Sequence, residues 1–196
     1  MNIGVLASGE GTTLQSVLDA CANGRIQGRV AIVISNNSSA GALVRAHAAG
    51  VTALHLSSKA HDPPALDAAI RDALVAADVD VVFLAGYMKK LGPMMLAAFR
   101  GRILNTHPAL LPRFGGRGMY GDRVHEAVLA AGEPESGASI HLVESEYDSG
   151  PVVLQRSVPV LAGDSLEDLK RRVQALERDL VVETLGKIAA GQIVLG

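Results

Sequence analysis

Four runs in the first half of the chain are almost wholly apolar: NIGVLA (2–7), VAIVIS (30–35), VTALHL (51–56) and DVVFLA (80–85). Near-continuous hydrophobicity over such short lengths is the pattern of strands covered on both faces, as in a parallel sheet. The intervening segments change period. Residues Thr12 to Asn23 and Ala40 to Ala49 repeat at helical spacing and stop at Gly24 and Gly50, where glycine suits a helix C-terminus. A third helix opens on an N-cap carboxylate, Asp62, followed by Pro63, and Leu66, Ile70, Ala73 and Leu74 mark its apolar stripe. Strands and helices alternating in this way predict a parallel, doubly wound sheet through about residue 86.

The second half is patterned differently. RILNTH (102–107), ASIHLV (138–143) and PVVLQRSVPV (151–160) predict three further strands, with a helix near Asp122 to Ala131 and a long one after Asp164. Asp164 and Glu167 have the spacing of a capping box, and Leu166, Leu169, Val173, Leu176 and Leu180 form a stripe that would pack back on the sheet. No repeat, linker or low-complexity stretch interrupts the pattern. The expected fold is therefore one α/β domain over 1–196, a doubly wound, mostly parallel seven-stranded sheet with helices on both faces. Its first half is Rossmann-like, and a soft division falls near residue 100.

Composition narrows the partners. Apolar residues make up 48% of the chain and charged residues 19%, which favours a globular protein with a large core over a disordered one. A net charge of −2 gives no general attraction to nucleic acid. Cys21 is the only cysteine, so neither an internal disulfide nor a cysteine zinc cage can form. It shares a helical face with Leu14, Val17 and Leu18 and is expected to act as a small buried apolar residue. The start, MNIGVLASGEG, lacks a basic leader and breaks at Gly9 to Gly11, so neither export nor membrane insertion is expected and the cytoplasm is the predicted location.

In a doubly wound sheet, ligands bind beyond the carboxyl ends of the strands, so the loops after each strand hold the candidate chemistry. After the first strand comes SGEGTTLQ, in which Gly11 permits a tight turn and Thr12 and Thr13 offer hydroxyls beside the free amides of a helix start, a seat for phosphate. It lacks the GK[ST] of a P-loop and the three-glycine dinucleotide fingerprint, and an ordinary strand-to-helix turn would read the same way. After the fourth strand comes GYMKKLGP, able to line a slot for a flat ring or to plug a core, with Lys89 and Lys90 read as a solvated pair. After the fifth, Asn105 and His107 point the same way at period two. An amide beside an imidazolium suits an oxyanion formed in acyl transfer, whereas a lone histidine there would be structural. ESEYDSGP adds Glu144, Glu146 and Asp148 in a turn that either holds a carboxylate over the cleft or is turn chemistry alone.

Taken together, SGEGTTLQ, VVFLAGYMKKLGP, ILNTHPALLPRF, GASIHLVESEYDSGPVVLQ and VQALE resemble the folate-dependent phosphoribosylglycinamide formyltransferases over essentially the whole chain. The Asn-x-His-Pro-x-Leu-Leu-Pro run with a later Asp-x-Gly-Pro carries the resemblance. It implies transfer of a formyl group from 10-formyltetrahydrofolate to glycinamide ribonucleotide in purine synthesis, without a metal. It further implies Asn105, protonated His107 and Asp148 as the catalytic set. Gly11, Thr12, Thr13 and Gln174 would hold the substrate phosphate and Glu177 its ribose. Met88, Lys89, Lys90 and Leu91, with Glu144, Ser145, Glu146 and Tyr147, would embrace the pterin. His141 matches a family histidine with a packing or supporting role. The expected partners are the two small-molecule substrates, with no nucleic acid or membrane, in a monomer or homodimer.

Two departures stand out. Thr13 replaces an asparagine common among relatives, and GGRGMYGDRVHEAV (115–128) crosses its loop with more residues than many of them. Formyltetrahydrofolate hydrolases use a similar triad but carry an extra N-terminal domain, for which a first strand at Asn2 is expected to leave no room. Methionyl-tRNA formyltransferases carry a C-terminal domain not expected here. A non-catalytic folate or nucleotide sensor is the alternative from another class, disfavoured by the intact triad.

Overall fold

The computed structural model describes residues 1–196. The elements run β1 (Asn2–Ala7), α1 (Thr12–Ala22), β2 (Arg29–Ser35), α2 (Gly41–Ala48), β3 (Thr52–His55), α3 (Pro63–Ala76), β4 (Val81–Ala85), α4 (Pro93–Ala98), β5 (Ile103–His107), α5 (Asp122–Ala130), β6 (Glu135–Leu142), β7 (Val152–Pro159) and α6 (Leu166–Ala189). They form one seven-stranded sheet in the order β3-β2-β1-β4-β5-β6-β7. The strands from β3 to β5 are parallel, and β6 and β7 are antiparallel to their neighbours.

Alternation along the strands divides the core. Ile3, Val5 and Ala7 of β1 pack with Leu14, Val17 and Leu18 of α1, Ala42 and Ala46 of α2, and Leu180, Val181 and Leu185 of α6. Leu6 faces the other way, into a cluster with Ile70 and Leu74 of α3 and Met95 of α4. Both faces are thus covered by helices, which explains the continuous hydrophobicity of β1, β2 and β4. The edge strand β3 is the exception. It has a neighbour on one side only, and Thr52 and His55 are exposed.

Three details differ from expectation. The short helix α4 was not predicted, because six residues starting at Pro93 carry too little period to stand out. The capping box of α6 lies one residue later than read. Ser165 Oγ accepts from the Asp168 amide at 3.2 Å, and the Asp168 carboxylate accepts from the Ser165 amide. Asp164 is occupied elsewhere, accepting from Leu161 N at 2.8 Å and pairing with Arg172 at 2.6 Å. Cys21 is only partly buried at the edge of the first cluster, and burial raises its thiol pKa. No helix is long and apolar enough to cross a membrane.

Candidate active site

The strand order reverses direction between β1 and β4, and the loops leaving their carboxyl ends flank a cleft of about 740 Å3. Gly11, Thr12 and Thr13 line one end, and Asn105, Thr106, His107, Asp148 and Glu177 the floor and far side. Gly11 adopts φ 74°, and a side chain there would run into the backbone of Ala42, with Cβ only 2.7 Å from Ala42 Cα. Only glycine permits this close turn, which leaves the first amides of α1 without a side-chain cap. Gln174 is exposed on α6 and does not line the cleft, whereas Glu177, three residues on, does. Thr106 Oγ1 donates to Glu177 Oε1 at 3.1 Å. Burial pushes the Glu177 carboxyl up to about 7 despite that bond and the nearby Arg178.

A second, narrower pocket of about 90 Å3 opens beside the first. Lys89, Lys90 and Leu91 line it with Glu144, Ser145, Glu146 and Tyr147, while Met88 faces the larger cleft. Leu91 is buried; Lys89 and Lys90 are exposed, as read, with the Lys90 ammonium 5.6 Å from the Tyr147 ring centre. Asn105 and Asp148 line both cavities, as do Tyr87, Lys89 and Tyr147, and so stand where the two meet.

The three catalytic candidates are assembled from β5 and the loop between β6 and β7. Asp148 sits in the left-handed region at φ 54°, a conformation that aspartate tolerates better than most residues. Its Oδ2 accepts from the Gly116 amide at 2.9 Å and lies 3.5 Å from His107 Nδ1, and its Oδ1 lies 3.5 Å from His141 Nε2. Burial works to raise this carboxyl, but His107 and the Gly116 amide together hold it below the ordinary aspartate value.

His107 is buried, and its Nε2 lies 2.7 Å from the Phe114 carbonyl oxygen. A carbonyl only accepts, so Nε2 carries a proton and Nδ1 is the atom that titrates, toward Asp148. Burial lowers the His107 pKa, and neither the Asp148 carboxylate nor the Phe114 carbonyl, which both raise it, overcomes that effect.

His141 does more than pack. It is paired with Asn105 across the antiparallel β5–β6 ladder. Its Nδ1 donates to the Leu142 carbonyl at 2.9 Å, which leaves Nε2 to accept from Asn105 Nδ2 at 3.1 Å. One amide hydrogen of Asn105 is thereby fixed and the other left for a ligand. No group of three or more His, Cys, Asp or Glu side chains is disposed to hold a metal.

Comparison with known proteins places the chain in a family. The profile described as formyl transferase matches residues 1–185. Phosphoribosylglycinamide formyltransferase of Escherichia coli is 40% identical over 98% of this chain and 89% of its own length, and that of Haemophilus influenzae is 42% identical over 89% and 81%. Glycinamide ribonucleotide transformylase 1 from Symbiobacterium toebii superposes with a TM-score of 0.93 at 46% identity, covering 100% of this chain and 91% of the other. The chain belongs to the formyl transferase family.

Proposed function

We infer that the chain transfers the formyl group of 10-formyltetrahydrofolate to the free amine of phosphoribosylglycinamide, in keeping with relatives named phosphoribosylglycinamide formyltransferase that it resembles over nearly its whole length and in fold. The observation that carries this reading is the meeting of two cavities at Asn105 and Asp148. A two-substrate transfer needs a donor and an acceptor brought together at one atom, and proximity of this kind removes several kcal/mol from the barrier. The ribonucleotide occupies the larger cleft, its phosphate at Gly11 to Thr13 and its ribose at Glu177. The folate enters the narrower pocket between Met88–Leu91 and Glu144–Tyr147.

Burial lowers the His107 pKa, which suits it to accept a proton at the start of the reaction. An aliphatic α-amine titrates near ~8, so the substrate amine arrives mostly as ammonium. Ionised Asp148 attracts it, and the neutral Nδ1 of His107 takes its proton, which frees the nitrogen lone pair. That nitrogen attacks the formyl carbon. The carbonyl oxygen becomes an oxyanion, which the free amide hydrogen of Asn105 and the newly formed imidazolium stabilise. Collapse breaks the bond between the formyl carbon and the folate nitrogen. The proton stored on His107, passed directly or by way of Asp148, goes to that leaving nitrogen, and loss of the remaining amine proton yields the amide.

Purified protein mixed with 10-formyltetrahydrofolate, with and without the ribonucleotide, tests the reading by the absorbance of the deformylated folate. Release should require the ribonucleotide and be lost in His107→Ala. Equal release in its absence would make the chain a hydrolase, and no release with folate bound would make it a sensor.

A further inference from the structure

The segment Met88 to Leu91 has no regular structure, and its first three residues are exposed, so packing alone does not set its position. It is pinned from outside at both ends. At the near end, Met88 N donates to Ser8 Oγ at 2.8 Å. At the far end, the chain enters α4 through Gly92, which has no side chain with which to cap the helix. Asp67, projecting from α3, does that work across the sequence. Its Oδ2 accepts from Met94 N at 2.8 Å and its Oδ1 from Met95 N at 3.1 Å.

Asp67 is only 6% exposed. A buried carboxylate is costly unless both oxygens are satisfied, and here backbone amides satisfy both. The contact is not needed to begin α3, whose own N-cap is Asp62, accepting from Ala65 N at 2.8 Å. Nor does the approach leave room for an alternative, since a Cβ on Gly92 would collide with the Asp67 carboxyl group. Leu91 and Met95 are buried in the same cluster as Ile70 and Leu74 of α3. The carboxylate therefore sets where the start of α4, and with it Leu91, lies against the narrow pocket.

We propose that Asp67 is a positioning residue for the co-substrate: by holding the first amides of α4, it places the backbone of Met88 to Leu91 for the pterin. The proposal rests on the reading that this segment binds the folate. It touches no substrate itself, so its removal should act on one Michaelis constant alone.

The test is steady-state kinetics of Asp67→Asn, with both substrates varied. Losing one charge-assisted acceptor should raise KM for 10-formyltetrahydrofolate roughly tenfold. KM for the ribonucleotide and kcat should stay within about twofold. Gly92→Ala drives a methyl group into the same contact, should show the same split, and carries the test if Asp67→Asn does not fold. An unchanged folate KM in a variant of lowered thermal stability would overturn the proposal, as would equal changes in all three constants. Leu91→Ala separates the two layers. If it raises the folate KM while Asp67→Asn does not, the positioning role alone fails; if it leaves the folate KM unchanged, the assignment of the segment fails and the proposal with it.

Discussion

In the proposed mechanism, replacing Asn105 with alanine removes two hydrogen bonds of different kinds. One amide hydrogen is free for the oxyanion, and the other is given to His141 Nε2 at 3.1 Å. Loss of an oxyanion donor costs about 2.7–4 kcal/mol, so turnover should fall by roughly 10²–10³. His141→Ala leaves the donor in place but removes the acceptor that orients it. An ordinary side-chain hydrogen bond contributes about 1 kcal/mol, so that variant should lose about fivefold. The informative measurement is the double variant. Once the amide is gone, there is nothing for His141 to orient, and its removal should change turnover by less than about twofold, a coupling of about 1 kcal/mol between the two sites. All four proteins can be compared by the absorbance change on deformylation at saturating substrates. Losses that simply multiply would refute the reasoning. They would place the action of His141 on Asp148, whose Oδ1 is 3.5 Å from the same ring nitrogen.

Glu177 predicts a pH effect on stability. Its carboxyl is pushed up to about 7, above the ~4.3 of an exposed glutamate, so between those values the native state keeps a proton that the unfolded chain has lost. Stability therefore falls as pH rises through that window, and calorimetry should find Glu177→Gln gaining in Tm on the native chain between pH 5 and pH 8; a difference independent of pH would show the group ionised throughout. Gly11→Ala must strain a backbone at φ 74° and push against Ala42, so KM for the ribonucleotide should rise more than about tenfold while that for the folate holds; an unchanged value would move the phosphate away from this turn.

The alternation of apolar runs and helical stripes was enough to read the parallel half, because strands buried on both faces announce themselves in almost every residue. Asn105 and His107 were legible for a related reason: polar groups at period two on an apolar strand need a purpose. The tautomers and charges were not. The burial that lowers the His107 pKa, against the pull of Asp148, is a property of the packed site, and the sequence holds no measure of it. The role of His141 depends on the antiparallel register that sets it opposite Asn105, and a slip of one residue would have turned it to the other face. The Gly116 amide and the Phe114 carbonyl are backbone groups from the long loop after β5, and residue identity says nothing about where they point. Asp67 was hidden for the same reason, reading as one polar residue in a helix whose stripe was already accounted for.

The change from parallel to antiparallel pairing at β5 gives the site its two-sided form. Up to β4, each strand reaches its carboxyl end and leaves through a loop to a helix, which yields phosphate-binding turns but nothing to close the far side of a second ligand. Because β6 runs against β5, it brings His141 alongside Asn105, and the loop leading to β7 delivers Asp148 to both histidines. That same loop presents Glu144 to Tyr147 as the outer wall of the narrow pocket. The carboxylate is thus carried on the wall of the proposed folate pocket and reaches the histidine that lines the proposed ribonucleotide cleft. A displacement of that wall alters both the fit of the donor and the proton path of the acceptor, so substitutions in this loop should change kcat and the folate KM together. Substitutions at Asp67, which lies behind the opposite wall and holds the start of α4, should change the folate KM alone.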